Sequence, residues 1–284
     1  MPRIGATPQV WLITGSSRGI GRKTAEAVLA AGHQLVATSR KPYDLEALVQ
    51  EHGDRVRTVA LDVRDAVQAR NAVRAAVEAF GRLDVVMNNA GVGHVMSVEE
   101  GADADFREQL EVNFWGAVNV TRAALPVFRA QRTGHFLQIG SLSGRLAVGP
   151  GLVSYSTAKF ALHGFSLALA QEMAPLGVKV TLVEPGGFRT DWLGCSLLVT
   201  EPGEDYRATV GAMAEGIRAA GDLMTGDPAK AARVLVEIAA SEDPPLRLLL
   251  GSDALQMARM ADQARNAEID KWEHVSRSTD FDPV

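Results

Sequence analysis

Val10-Trp-Leu-Ile-Thr-Gly-Ser-Ser-Arg-Gly-Ile-Gly21 opens as a strand and closes as the start of a helix. The apolar run from Val10 to Ile13 is short and ends in turn residues, the pattern of a buried strand. From Arg22 to Ala31 the residues favour helix. Gly15 permits a tight turn between the two elements. Gly19 and Gly21 remove Cβ atoms that would block a ligand and crowd the helix against the sheet. The N-terminus of such a helix offers unpaired N–H groups and a positive dipole end, which suit a pyrophosphate. The spacing is Gly-x-x-x-Gly-x-Gly, not the Gly-x-Gly-x-x-Gly of the commonest dinucleotide motif. By itself the loop therefore does not fix a ligand. Its place between a strand and a helix, at the head of an alternating chain, points to a dinucleotide.

That alternation runs on through the sequence. Strands are expected at residues 10–14, 34–39, 55–61, 84–88, 135–139, 179–184 and 247–250. Helices are expected at 19–31, 45–52, 66–80, 104–130, 154–174 and 228–240, the last with Asp227 as N-cap and Pro228 in its first turn. Strand–helix alternation predicts an α/β fold, a doubly wound parallel sheet of about seven strands covered on both faces. With no repeat, low-complexity run or linker, residues 1–284 read as a single dinucleotide-binding catalytic domain. Residues 192–225 interrupt the alternation with Gly and Pro amid apolar residues, and are expected to cap the edge where such sheets bind ligands. Residues 254–284 read as a C-terminal extension that begins as a polar helix and then loses periodicity.

Composition excludes several classes. The chain is 46% hydrophobic and 22% charged, which is globular, and its net charge of −5 argues against a general nucleic-acid binder. The lone Cys195 allows no internal disulfide and fits a reducing cytoplasm. No apolar stretch near the N-terminus is long enough for a signal peptide or membrane span, so a cytoplasmic protein without a membrane partner is expected. No His/Cys/Asp cluster has metal-ligand spacing, and no metal is expected. A homo-oligomer, dimer or tetramer, is compatible with all of this.

Tyr155 and Lys159 stand one helical turn apart, so the phenol and the ammonium can share a face and a cavity. A nearby positive charge stabilises phenolate and lowers a phenol pKa from about 10, making the tyrosine a usable general acid or base. With three Tyr and six Lys in 284 residues, chance supplies such a pair only about 0.06 times. The other reading is a helical tyrosine above a solvated lysine.

Thr14-Gly-Ser-Ser-Arg-Gly-Ile-Gly21, Asp62, Asn88-Asn-Ala-Gly91, Asn113, Ser141, Tyr155-x-x-x-Lys159 and Pro185-Gly-Gly-Phe-Arg-Thr190 occur in that order. In this the chain resembles the short-chain dehydrogenases/reductases, from about residue 10 to 190 and more weakly to 250. The resemblance implies an NAD(P)-dependent oxidoreductase in which hydride passes between nicotinamide and a carbonyl carbon while Tyr155 exchanges a proton with the oxygen. It places Ser141 against the substrate oxygen and gives Asn113 a water linking Lys159 to solvent. Asn113 could instead be a structural residue within a helix. Ser141 lies fourteen residues before Tyr155, one more than the family's usual spacing, and Ser143 would be one too close. The flanking Ile139-Gly-Ser-Leu-Ser-Gly144 favours Ser141, with the extra residue absorbed in Val148-Gly-Pro-Gly151.

By the same resemblance Gly15, Ser17, Arg18, Gly19, Ile20 and Gly21 would bind the dinucleotide, with Arg18 beside the adenosine ribose. Asp62 and Val63 would meet the adenine, while Asn89, Ala90 and Gly91 would lie under the cofactor. Pro185, Gly186 and Thr190 would reach the nicotinamide beside Tyr155 and Lys159. An acidic residue at the end of the second strand would bind the ribose hydroxyls and repel a 2′-phosphate. Here Ser39 takes that place, Arg40 follows, and Arg18 lies nearby in the family's arrangement. Two guanidiniums without a carboxylate favour NADP(H) over NAD(H), unless both are merely solvated. His94 is a candidate at the substrate mouth or a satisfied loop residue. Trp192, Leu193, Cys195, Leu197 and Leu198 line an apolar pocket or form cap core. The expected activity is interconversion of a carbonyl and a secondary alcohol on a mostly apolar small molecule. An NAD-linked alcohol dehydrogenase and a non-catalytic dinucleotide sensor are the alternatives.

Overall fold

Residues 8–190 and 196–281 are described by a computed structural model of the chain. The strands are β1 (Val10–Ile13), β2 (Gln34–Ser39), β3 (Val56–Ala60), β4 (Val85–Asn88), β5 (Gly93–Val95), β6 (Gly134–Ile139), β7 (Val178–Pro185), β8 (Leu197–Val199) and β9 (Arg247–Leu250). The α-helices are α1 (Gly19–Ala30), α2 (Glu46–His52), α3 (Ala66–Phe80), α4 (Asp103–Leu110), α5 (Gly116–Gln131), α6 (Val153–Met173), α7 (Glu204–Tyr206), α8 (Ala212–Ala219), α9 (Pro228–Ala239) and α10 (Ser252–Arg277). Seven strands form one parallel sheet in the order β3-β2-β1-β4-β6-β7-β9. All four residues of β1 are buried, because the sheet is covered on both faces and its inner strands can be apolar throughout.

The period of two sorts that strand between two cores. Trp11 and Ile13 pack with Ala25, Val28 and Leu29 of α1 and Ala231 and Leu235 of α9. Val10 and Leu12 face the other way, against α3 and α5 through Ala69, Val73, Val120, Ala124 and Phe128. Asp65 caps α3, its carboxylate accepting from the N–H groups of Val67 and Gln68 at 2.7 and 3.2 Å. Asp227 caps α9 in the same way, at 2.8 and 3.2 Å from Ala229 and Lys230, as the sequence predicts.

Two stretches differ from expectation. The helix expected over 104–130 is broken by a π-turn at Glu111–Trp115, between α4 and α5. The helix before the break is polar, with Gln109 its buried residue, so no apolar stripe runs across the turn to reveal it; such turns often mark functional sites. β5 and β8 pair in parallel as a separate two-stranded sheet, each too short at three residues to show alternation. The expected polar helix of the C-terminal extension, α10, continues as far as Arg277. Its buried residues are Ala254 and Ala258, and from residue 263 onward it is exposed. Among the described residues no helix is long and apolar enough to cross a membrane.

Candidate active site

Between β1 and β4 the strand order reverses, and a cleft of about 480 Å³ opens at the carboxyl ends of the strands there. Open α/β sheets bind ligands at such points. Gly15, Ser17, Arg18, Gly19, Ile20, Ser39, Arg40, Asp62 and Val63 line one end. Asn89, Ala90, Gly91, Asn113, Ser141, Tyr155, Lys159, Pro185, Gly186 and Thr190 line the rest. Gly21 lies outside the lining, where a Cβ would stand 2.4 Å from the Gly15 carbonyl oxygen, so it serves the packing of α1 on the loop. His94 is also outside the lining, in β5, its Nε2 2.8 Å from the Thr200 hydroxyl. Trp192, Leu193 and Cys195 lie outside the described residues.

The glycine loop is held from below by the turn after β4. Thr14 Oγ1 accepts from the N–H groups of Asn89 and Ala90 at 2.9 and 3.0 Å. Asn89 Nδ2 donates in return to the carbonyls of Thr14 and Gly15 at 2.9 and 3.1 Å. Gly15 has φ +68°, and a Cβ there would stand 3.1 Å from Ala90 Cα, so both conformation and space call for glycine. Arg18 is the N-cap of α1 but makes no side-chain capping bond, and the first turn holds no acidic residue. Its first N–H groups and dipole are thus left for an anion.

Arg40 stands close enough to Asp62 for its charge to help lower that carboxyl's pKa, while Ser39 is closed onto Lys41, donating to its carbonyl at 2.6 Å. Asp62, at the same end of the cleft, is engaged by Arg64. Arg64 Nε lies 2.9 and 3.1 Å from its two oxygens, and Arg64 also reaches Glu108 at 3.2 Å. That guanidinium holds the Asp62 carboxyl below its usual range. Sequence reasoning missed Arg64, although Asp62-Val-Arg64 at a strand exit was its signal.

At the other end, α6 turns Tyr155 and Lys159 to one side. Lys159 Nζ lies 5.7 Å from the phenol ring centroid and donates to the Ile139 carbonyl at 2.8 Å. Burial pulls the lysine pKa down to about 8. Burial also raises that of Tyr155, and a hydrogen bond from the Ser141 side chain only partly opposes it. This reverses the expected direction for the phenol: desolvation of the charged form outweighs the hydrogen bond with Ser141. The phenol is consequently protonated at neutral pH.

Ser141 is the N-cap of a 3₁₀ turn, Leu142–Gly144, and its Oγ accepts from the Ser143 N–H at 3.1 Å. Both serines line the cleft, and Ser141 is the one that meets the phenol. Asn113 sits in the π-turn with its amide engaged: Nδ2 donates to the Val92 carbonyl at 2.9 Å and Oδ1 accepts from the Val92 N–H at 3.0 Å. The side chain thus pins the backbone after β4. Sequence reasoning also missed the apolar wall of Val148, Leu152, Met213, Ile217, Met224 and Met257. These come from four separate stretches, and no spacing relates them. Met213, Ile217 and Met224 belong to the stretch expected to cap this edge.

Comparison with known proteins agrees with this architecture. The family described as short chain dehydrogenase matches residues 9–195. Oxidoreductase BOA17 of Botryotinia fuckeliana is 46% identical over 269 residues, 94% of this chain and 98% of the relative. A short-chain dehydrogenase structure from Streptomyces avermitilis superposes with TM-score 0.90 at 38% identity, covering 97% of this chain and 100% of that one. An alcohol dehydrogenase from Thermococcus sibiricus, complexed with 5-hydroxy-NADP, has TM-score 0.69 at 26% identity, covering 86% and 96%. The chain belongs to the short-chain dehydrogenase family and is an oxidoreductase of that class.

Proposed function

We propose that the protein is an NADP(H)-dependent reductase of ketones, or dehydrogenase of secondary alcohols, acting on an apolar small molecule. One observation carries the reading: a partly buried phenol hydrogen-bonded to Ser141, beside a buried ammonium, stands in the same cleft as a glycine loop with free helix N–H groups. The loop fits a dinucleotide, since the conformation at Gly15 and the uncapped α1 leave room and donors for a pyrophosphate. Gly15, Ser17, Gly19 and Ile20 would hold the phosphates, and Pro185, Gly186 and Thr190 the nicotinamide. Bound there, the dinucleotide supplies or takes up a hydride.

The rest is the work of the chain. Tyr155 gives its proton to the carbonyl oxygen, and Ser141 donates a hydrogen bond to the same oxygen as charge grows on it. The Lys159 ammonium lowers the energy of the phenolate left behind. Val148, Leu152, Met213, Ile217, Met224 and Met257 exclude water and favour an apolar substrate. A protein that only senses a dinucleotide would have no use for the Ser141–Tyr155–Lys159 set.

The pH dependence follows from the lysine. Its charge is present below about pH 8 and lost above it. Ketone reduction should therefore be level near neutrality and fall about tenfold per pH unit well above 8, as for loss of one required proton. Lys159→Met should lower the plateau and remove that limb. A profile of kcat/KM that stays level to pH 10 in the parent would contradict the role given to Lys159.

NADP(H) is preferred here on charge alone: Arg18 and Arg40 flank a site with Ser39 in place of a carboxylate. Replacing Ser39 by Asp and Arg40 by Ser should weaken NADPH at least about tenfold, since a lost charge-assisted contact costs roughly 1.5–3 kcal/mol. NADH affinity should stay equal or improve, and the parent's preference should fade with salt. Dissociation constants for both cofactors decide this. A parent that binds NADH more tightly would sink the reading of the two arginines.

A further inference from the structure

Ser141 sits on a 3₁₀ turn of only three residues, held by the Gly144 N–H to its own carbonyl at 2.9 Å and the Arg145 N–H to that of Leu142 at 2.9 Å. So short a turn has poor hydrogen-bond geometry and little rigidity of its own. The position of its serine nevertheless matters, because a misplacement of about 1 Å can cost about 10²-fold in rate. The upstream end is anchored to the sheet, where the Gly140 N–H donates to the Val183 carbonyl at 2.8 Å.

The downstream end carries Arg145. Its Nη1 lies 3.1 Å from Glu184 Oε2 and its Nη2 2.7 Å from Asp262 Oδ2. Glu184 is fully buried at the end of β7, one residue before the Pro185-Gly186 segment of the cleft wall. Asp262 lies on α10. The guanidinium thus ties the serine turn to the cofactor wall and to the C-terminal helix at once. Burial raises the Glu184 pKa, against the opposing charges of Arg145 and Arg247. His163 Nδ1 approaches Glu184 at 3.7 Å, but burial and the charge of Lys159 bring its pKa to about 4, so it adds no cation near neutrality.

α10 meets the turn a second time through Ala254 and Ala258, which pack on Leu142. Asp253 at its start accepts from the Gly187 N–H at 2.7 Å on the cofactor wall. The buried part of α10 is therefore the part that faces the site. A buried ion pair is a costly fastener, and apolar packing would hold the turn at lower cost. What a planar fork between two carboxylates adds is direction.

We propose that Arg145 is a positioning residue which, through Glu184 and Asp262, fixes the Ser141 hydroxyl against Tyr155 and makes α10 part of the catalytic frame. The proposal rests on the reading of Ser141 given above.

A double-mutant cycle between Arg145→Met and Ser141→Ala tests it, with kcat, KM and cofactor dissociation constant measured for each protein. Arg145→Met should lower kcat about tenfold in the parent, a larger change than that in the cofactor dissociation constant. In the Ser141→Ala background the same change should cost less than about twofold, because the placement of an absent hydroxyl no longer matters. Arg145→Lys, which keeps the charge and can reach one carboxylate, should recover part of the loss. If Arg145→Met does not fold, Asp262→Asn at the half-exposed end of the bracket enters the same cycle, with an expected loss of about threefold. An equal loss in both backgrounds, after a severe effect of Ser141→Ala alone, overturns the bracket and leaves the catalytic reading standing. If Ser141→Ala alone is harmless, the catalytic reading fails first and the bracket falls with it.

Discussion

Tyr155→Phe is expected to lower turnover by at least about 10²–10⁴-fold, the usual contribution of a general acid or base, while leaving cofactor affinity nearly unchanged. The phenyl ring keeps the packing that the tyrosine makes with the apolar cluster around Leu152, Val210 and Ala214. Only the hydroxyl is lost, and with it the proton and the hydrogen bond from Ser141. Among the described residues beside that position, Lys159 also holds a proton near neutrality, but its Nζ lies 5.7 Å from the ring centroid. Lys159 is bonded to the Ile139 carbonyl and Ser141 is a much weaker acid. Steady-state rates with the best ketone or alcohol, together with fluorescence titration of the dinucleotide, make the test. Wild-type turnover in the variant would rule out the mechanism; loss of cofactor binding in step with turnover would point to a structural role for the hydroxyl.

What the sequence reveals follows the range of the forces involved. Most of the seven main strands are legible as apolar runs bounded by turn residues, and the ends of all seven agree with expectation to within one residue. Tyr155 and Lys159 are legible because they share one helix. The pKa of the phenol is not, since its direction depends on how deeply α6 is buried rather than on spacing. The bracket joining Arg145, Glu184 and Asp262 is equally silent: the three residues come from a turn, a strand and the last helix, and no periodicity links them. Asp62 shows both limits at once. Its place after the third strand is readable, whereas its engagement by Arg64 required the geometry of the strand exit. The π-turn at Asn113 hides because the preceding helix is polar, its buried residue being Gln109, so no apolar stripe crosses the break to show the extra residue.

Ser141→Ala should cut kcat by about 10²-fold or more, the scale of losing one donor to a developing oxyanion, and Ser143→Ala should be mild. The two serines are separated by what they offer. Ser141 presents its hydroxyl to Tyr155 and accepts a backbone N–H from Ser143. In that contact Ser143 contributes its main chain, which alanine retains, so the turn keeps its internal bond in Ser143→Ala. In Ser141→Ala the Ser143 N–H also loses an acceptor, so a modest loss of stability of about 1 kcal/mol should accompany the loss of rate. Melting temperature separates the two effects, because a stability change of that size cannot by itself lower the turnover of a folded enzyme a hundredfold. The measurement that matters is kcat for both variants on one substrate. A severe effect at Ser143 with a mild one at Ser141 would move the substrate oxygen to Ser143, and the serine–tyrosine spacing would then be one residue shorter than the family's usual one instead of one longer.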